Sequence, residues 1–143
     1  MILCDTGVLL CLCDQTQPKH QACKEAVRKT KQPLLTTWSC LTETMYLALH
    51  RGGWTMQQQI AKLLLNQTVQ VFQIQTEDYE RLFALMAQYR DRPMDLADAT
   101  LVIAAEKTGI KRILTLDSDF LFYRICDRES FEVILLNDKP QKP

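Results

Sequence analysis

The chain has no excess charge of either sign: seventeen Lys and Arg stand against seventeen Asp and Glu. A neutral chain casts no global field for capturing a polyanion, so a nucleic-acid partner would have to be gripped by local basic residues. This balance argues against a general DNA-binding protein but leaves a selective enzyme open. No apolar run approaches the roughly 20 residues that a membrane span requires. The N-terminus lacks a basic leader segment, and Asp5 interrupts the apolar start before it reaches signal-peptide length. A soluble, cytoplasmic protein with no membrane partner is the expectation.

Metal-binding sulfur and nitrogen patterns are also lacking. Cys4, Cys11, Cys13, Cys23, Cys40 and Cys126 form no CxxC pair, and His20 and His50 lie far from any such pair. Tetrahedral zinc sites show tighter ligand spacing. Cys4 in MILCD and Cys11 and Cys13 in VLLCLC sit inside apolar runs, where a thiol behaves as a small hydrophobe. Buried, reduced cysteines point to a reducing compartment. No internal repeat and no linker interrupts the 143 residues, close to the commonest size of one domain. One domain over residues 1–137 with a flexible tail at 138–143 follows.

What is present is an alternation of strand and helix patterns. Met1 to Cys4 is a short apolar run ending at an acid, a buried strand that presents Asp5 at its carboxyl end. Residues 6–13 read as an apolar helix. Pro18 suits the first turn of a second helix, whose Lys24, Arg28 and Lys31 share a solvated face. LLTT is a strand, followed by a helix from about Ser39 to Arg51 that stops at Gly52-Gly53. Thr55 caps a further helix through Asn66, VQVFQI alternates as a half-buried strand, and a helix runs from Thr76 to about Arg90. DLADATLVIAAEKTG is a helix with an acidic start and a closing Gly109. RILT is a strand, DFLFYRI a short helical turn, and FEVILL the last strand. Such alternation implies an α/β fold with a mainly parallel sheet, which binds ligands beyond the carboxyl ends of its strands.

Asp5 and Asp117 fall where that rule places a site. Glu43 lies early in the helix after LLTT, Asp95 and Asp98 open the DLADA helix, and Asp119 follows Asp117. Carboxylates gathered without cations repel one another, so a convergent set implies a bound metal. Oxygen-only ligation favours Mg²⁺ or Mn²⁺ over zinc. Such an ion activates water and offsets phosphate charge, the two tasks of phosphodiester hydrolysis. Each acid also has a plain structural explanation. Asp95 and Asp98, three apart at a helix start, are explained by capping, and Asp117-Ser-Asp119 by turn chemistry. Glu43 fits a helix surface. Asp5 has no cap or turn role as evident as these.

The four blocks ILCDTGVLL, LTETMYLAL, DLADATLVIAAEKTG and ILTLDSDF, in this order, resemble the PIN-domain family, and within it the VapC-type toxins of bacterial toxin–antitoxin pairs. The resemblance implies a three-layer α/β/α sandwich forming a PIN-like nuclease domain, and Mg²⁺- or Mn²⁺-dependent endoribonuclease activity. It places Asp5, Glu43, Asp98 and Asp117 in the acidic quartet, with Thr6 and Thr115 as hydroxyl residues near the metal. Asp98 is preferred to Asp95 because it directly precedes the Ala of the Asp-Ala pair. Asp95 and Asp119 fall beside the quartet.

The expected chemistry is in-line attack of water on an RNA phosphodiester, with Asp5, Glu43 and Asp98 holding one Mg²⁺. Asp117, with Asp119, completes the site or holds a second ion. No histidine lies near these motifs, so proton transfer falls to water and carboxylates. Arg90, Arg92, Lys107, Lys111 and Arg112 are the candidate RNA grips, each with a helix-end or surface role as its alternative. Two rival classes stand beside this one. A Mg-dependent phosphatase with Asp5 as nucleophile usually wants a second acid two residues on, where Gly7 stands. A non-catalytic PIN-fold RNA- or protein-binding module would not need the complete quartet. The resemblance further implies an antitoxin partner and a homodimer, while Trp38, Trp54 and Phe122 are each most simply assigned to the core.

Overall fold

The computed structural model describes residues 1–135. Its strands are β1 (Ile2–Cys4), β2 (Leu34–Thr37), β3 (Val69–Phe72), β4 (Arg112–Thr115), β5 (Arg124–Ile125), β6 (Glu129–Ser130) and β7 (Glu132–Leu135). The helices are α1 (Thr6–Cys13), α2 (His20–Thr30), α3 (Trp38–Leu65), α4 (Tyr79–Gln88) and α5 (Leu96–Thr108). Five strands form one sheet in the order β3-β2-β1-β4-β7, with every neighbouring pair parallel. Leu3 of β1 pairs with Leu35 on one side and Ile113 on the other.

Parallel pairing follows from the strands' composition. All three residues of β1 and all four of β2 are buried, which requires helices on both faces and leaves no solvent side for polar alternation. α1 packs on both α2 and α3, and α4 packs on α5, completing the helical layers of an α/β sandwich. α5 is apolar around most of its circumference. Ala99, Leu101, Val102, Ile103, Ala104 and Ala105 are all buried, and the small alanines let the helix sit close to its neighbours.

The strand order has one consequence for function. From β1 the chain builds outward through β2 to β3, then returns to lay β4 on the other side of β1. The order reverses between β1 and β4, and at that point the two flanking crossovers diverge and open a crevice above the strand ends. Asp5 and Asp117 follow those two strands.

Several local expectations change. The expected break at Gly52-Gly53 is present as a kink where two helical stretches meet within α3: Gly53 leaves helical geometry (φ 64°, ψ −156°), a region closed to residues with a Cβ. α2 begins at His20, beyond Pro18. The DFLFYRI segment is helical only as the 3₁₀ turn Asp119–Leu121, after which β5 and β6 form an antiparallel hairpin. Its tip places Cys126 (φ 51°) and Asp127 (φ 60°) in the left-handed region, so no Gly or Asn announces the turn. Arg81 bonds both Glu106 and Asp127, and Glu106 accepts from the Cys126 amide, pinning that tip. Phe120 meets Tyr123 and Phe131 edge-on at centroid distances of 5.1 and 5.3 Å beneath it.

Trp38, Trp54 and Phe122 are not core residues, being 56%, 65% and 50% exposed. Five cysteines are buried and Cys126 is exposed, all as free thiols. Among the described residues no helix is long and apolar enough to cross a membrane. The end of FEVILL, the domain boundary at 137 and the tail at 138–143 lie outside the described residues.

Candidate active site

The crevice above β1 and β4 is a pocket of about 620 Å³ whose lining includes Asp5, Glu43, Asp95, Asp98 and Asp117, together with Thr6. Five carboxyls thus come from four separate stretches of chain. Asp119 is not part of the lining; its amide donates to Asp117 Oδ1 at 3.0 Å, so it shapes the turn that carries Asp117.

Asp5 ends β1 and caps α1, its Oδ1 accepting from the Val8 amide at 3.1 Å. This cap, less evident in the sequence than those of the other acids, leaves Oδ2 free of the helix end. Thr115, the last residue of β4, donates its hydroxyl to that oxygen at 2.5 Å. The same hydroxyl accepts from the Asp117 amide at 2.9 Å, so one threonine ties the acids of two adjacent strands. Asp5 is only 8% exposed. Burial pushes its carboxyl up to about 6, with the Thr115 and Val8 bonds opposing and Asp117 adding to the rise.

Asp95 caps α5 by accepting from the Asp98 amide at 2.7 Å, and this leaves Asp98 in the first turn of that helix. The two acids separate here: one is consumed by the helix end and exposed, while the other is half-buried. Burial and then Asp95 push Asp98 up to about 7, although the Tyr123 hydroxyl donates to its Oδ2 at 3.1 Å. Burial, then the charge of Asp98 and this hydrogen bond, hold the Tyr123 phenol well above its usual range. Glu43, exposed on α3, is raised by its partial burial and by Asp95. Thr6 donates to the Cys40 carbonyl at 3.3 Å beside it. Burial, then the hydrogen bond with Asp117, raises Asp119.

The arrangement gathers carboxyls at one strand end, where Asp95 raises both Asp98 and Glu43 and Asp117 raises Asp5 and Asp98. Among the described residues no group of three or more His, Cys, Asp or Glu side chains is drawn close enough together to hold a metal ion.

None of the five basic residues expected to grip RNA lines the pocket. Lys107 pairs with Asp78 at 3.2 Å, Lys111 with Glu129, and Arg112 lies 3.9 Å from Glu132. Arg90 donates to the Ala87 carbonyl at its own helix end, and Arg92 stacks 3.6 Å over Phe122. The cation that does line the pocket is Arg51, which the sequence marked only as a helix end. It follows Glu43 and Leu47 at four-residue spacing on α3, so one helix face aims all three at the crevice. The buried Asp14 lies 3.6 Å from its guanidinium. Hydrogen bonds from Thr16 hold that carboxyl below the ordinary range. The i, i+4, i+8 pattern was the available signal.

Comparison with known proteins agrees with this geometry. The family model described as PIN domain matches residues 2–127. Ribonuclease VapC26 of Mycobacterium tuberculosis is 25% identical over 116 residues, which cover 81% of this chain and 86% of that protein. The crystal structure of Mycobacterium tuberculosis VapC20, described as a sarcin-ricin loop cleaving toxin, superimposes with a TM-score of 0.75 at 23% identity. The match covers 83% of this chain and 92% of that one, and it attests the fold. With the switch-point crevice, its acids and a family model spanning nearly the whole described chain, the protein belongs to the PIN domain family.

Proposed function

We propose that the chain is a Mg²⁺- or Mn²⁺-dependent endoribonuclease of the VapC class, the toxin of a toxin–antitoxin pair. The observation that carries this reading is the convergence of Asp5, Glu43, Asp95, Asp98 and Asp117 on one crevice, with Asp5 and Asp98 held near 6 and 7. Carboxyls so placed are costly as bare anions and fit a hard divalent cation. The acidic donor set is all oxygen, and its side chains are not drawn close enough together to grip an ion by themselves. Mg²⁺ suits this, because it keeps several waters and needs few direct protein ligands.

Asp5, Glu43 and Asp98 would hold the ion, with Asp117 completing the set and Asp119 bracing it. When bound, a divalent ion supplies Lewis-acid activation of water and offsets charge on the phosphate. The chain's own residues do the rest. Thr115 fixes Asp5 and the Asp117 backbone, and Tyr123 orients Asp98. With no histidine lining the crevice, the proton of attacking water would pass to solvent or to a carboxylate not holding the ion. Arg51 supplies the positive charge that a substrate phosphate needs to approach so many acids. A basic side chain of an antitoxin would satisfy the same field and block entry. Free buried thiols accord with a reducing cytoplasm, and a homodimer belongs to the same reading.

The test is cleavage of a mixed RNA pool with Mn²⁺, against EDTA and against Asp98→Asn. Internal cuts that need the metal and vanish in the variant are expected. Undiminished cleavage by the variant would refute the assignment.

A further inference from the structure

Three acids of the crevice are pinned by donors from the chain itself. Asp5 accepts from the Val8 amide at one carboxyl oxygen and from the Thr115 hydroxyl at the other. Asp98 accepts from the Tyr123 hydroxyl at Oδ2, and Asp117 from the Asp119 amide at Oδ1. Such bonds fix the plane of each carboxyl and occupy lone pairs that a second contact to the same ion would use. Helix capping accounts for the Val8 bond and turn formation for the Asp119 bond. The Thr115 and Tyr123 hydroxyls reach their acids from distant parts of the chain, and neither completes a cap or a turn for its acid. Tyr123 is fully buried, with Tyr89 and Phe120 each edge-on to its ring at 5.1 Å. The Arg124 amide, next along the chain, donates to the Tyr89 hydroxyl at 3.0 Å. A ring fixed in this way aims its hydroxyl at one oxygen of Asp98.

Pinned carboxyls and free ones suit different ions. Ca²⁺ takes about six to eight oxygens in flexible geometry and readily draws both oxygens of one carboxylate. Mg²⁺ demands a near-ideal octahedron and keeps several of its waters. The acids here are spread as well as pinned, since among the described residues no three of them are close enough to hold an ion unaided. Both features favour few protein contacts, one oxygen at a time. We propose that Tyr123 and Thr115 are positioning residues that set the ion preference: by holding Asp98 and Asp5 to single-oxygen contacts, they favour Mg²⁺ and Mn²⁺ and discriminate against Ca²⁺. The inference rests on the metal-dependent reading of the crevice and assigns the source of its selectivity. Without the Tyr123 hydroxyl, Asp98 is free to offer both oxygens, an arm that the larger ion uses and the smaller one does not.

Tyr123→Phe removes the hydroxyl and keeps the buried ring. Thr115→Val removes the other donor, and Thr115→Ser returns it. Binding is read without RNA or turnover, from the electron paramagnetic resonance of free Mn²⁺ as MgCl2 or CaCl2 displaces the bound ion. The parent should release Mn²⁺ to Mg²⁺ at a lower concentration than to Ca²⁺. In Tyr123→Phe and in Thr115→Val, Mg²⁺ affinity should fall about tenfold while Ca²⁺ affinity holds or rises, and Thr115→Ser should restore the parent preference. Equal weakening of both ions would overturn the inference, because a merely loosened site loses both alike. A preference unchanged in both variants would also overturn it. Either result leaves the nuclease reading standing, whereas a parent that binds no Mn²⁺ would overturn the two together.

Discussion

Replacing Asp5 by Asn should make the protein more stable while removing its activity, and the size of the gain follows from the site. Asp5 is raised to about 6 from an ordinary value of 3.8, chiefly by burial. Because the folded value is the higher one, the native state binds more protons than the unfolded chain between these limits. Stability is therefore greatest at low pH and falls as pH rises through that window. Above about pH 7 the ionised group costs up to about 3 kcal/mol, from 1.36 kcal/mol per pH unit. At pH 5 the same linkage leaves roughly half of it. Asn keeps the shape and an oxygen for the Val8 amide, and carries no charge. In EDTA at pH 8 the Asp5→Asn variant should melt several degrees above the parent, with the gap shrinking at pH 5. Added Mg²⁺ should close the gap by stabilising the parent alone, since metal at about 100 times Kd contributes ~2.7 kcal/mol. Melting followed by circular dichroism decides it. A variant less stable than the parent at pH 8 in EDTA would refute the reasoning, because burial of the charge would then not be the dominant cost.

Three further outcomes follow from the same geometry. Thr115→Val removes the donor to Asp5 and the acceptor for the Asp117 amide; urea denaturation should show a loss of about 1–3 kcal/mol, and Ser should recover most of the activity. Arg51→Ala should raise KM for RNA about tenfold, with Lys recovering only part because it lacks the planar fork. Its effect on stability should stay within about 1 kcal/mol, since the guanidinium is 41% exposed and Asp14 keeps its bonds from Thr16 and Gln17. Phe120→Ala opens a cavity among Tyr123 and Phe131 and should cost about 3–5 kcal/mol in thermal or urea unfolding, loosening Tyr123 and with it Asp98.

Elements written in short-range pattern were legible in the sequence. The apolar β1, the caps and Gly109 stop of α5, and the turn at Asp117 are each fixed by neighbours within a few residues, where propensity and capping act. The alternation of strand and helix was enough to predict a parallel sheet. The β5–β6 hairpin was not legible: its left-handed turn falls on Cys126 and Asp127, and it is held by Arg81 and Glu106 from distant elements. Arg51 was passed over because a helix-end cation has a sufficient local explanation, and its meaning depends on what α3 faces.

Sequence alone sets which acids exist, which local elements carry them and, through the order of its four blocks, which family they resemble. That Asp5, Glu43, Asp95, Asp98 and Asp117 share one crevice, with Asp119 behind it, emerges only from the folded chain. Convergence is set by the strand-order reversal between β1 and β4, a non-local property of chain crossing. Charge state is set by burial, which raises Asp5 and Asp98 while the α5 cap absorbs Asp95. Both depend on residues far apart in sequence, so neither can be read from a window around any one acid.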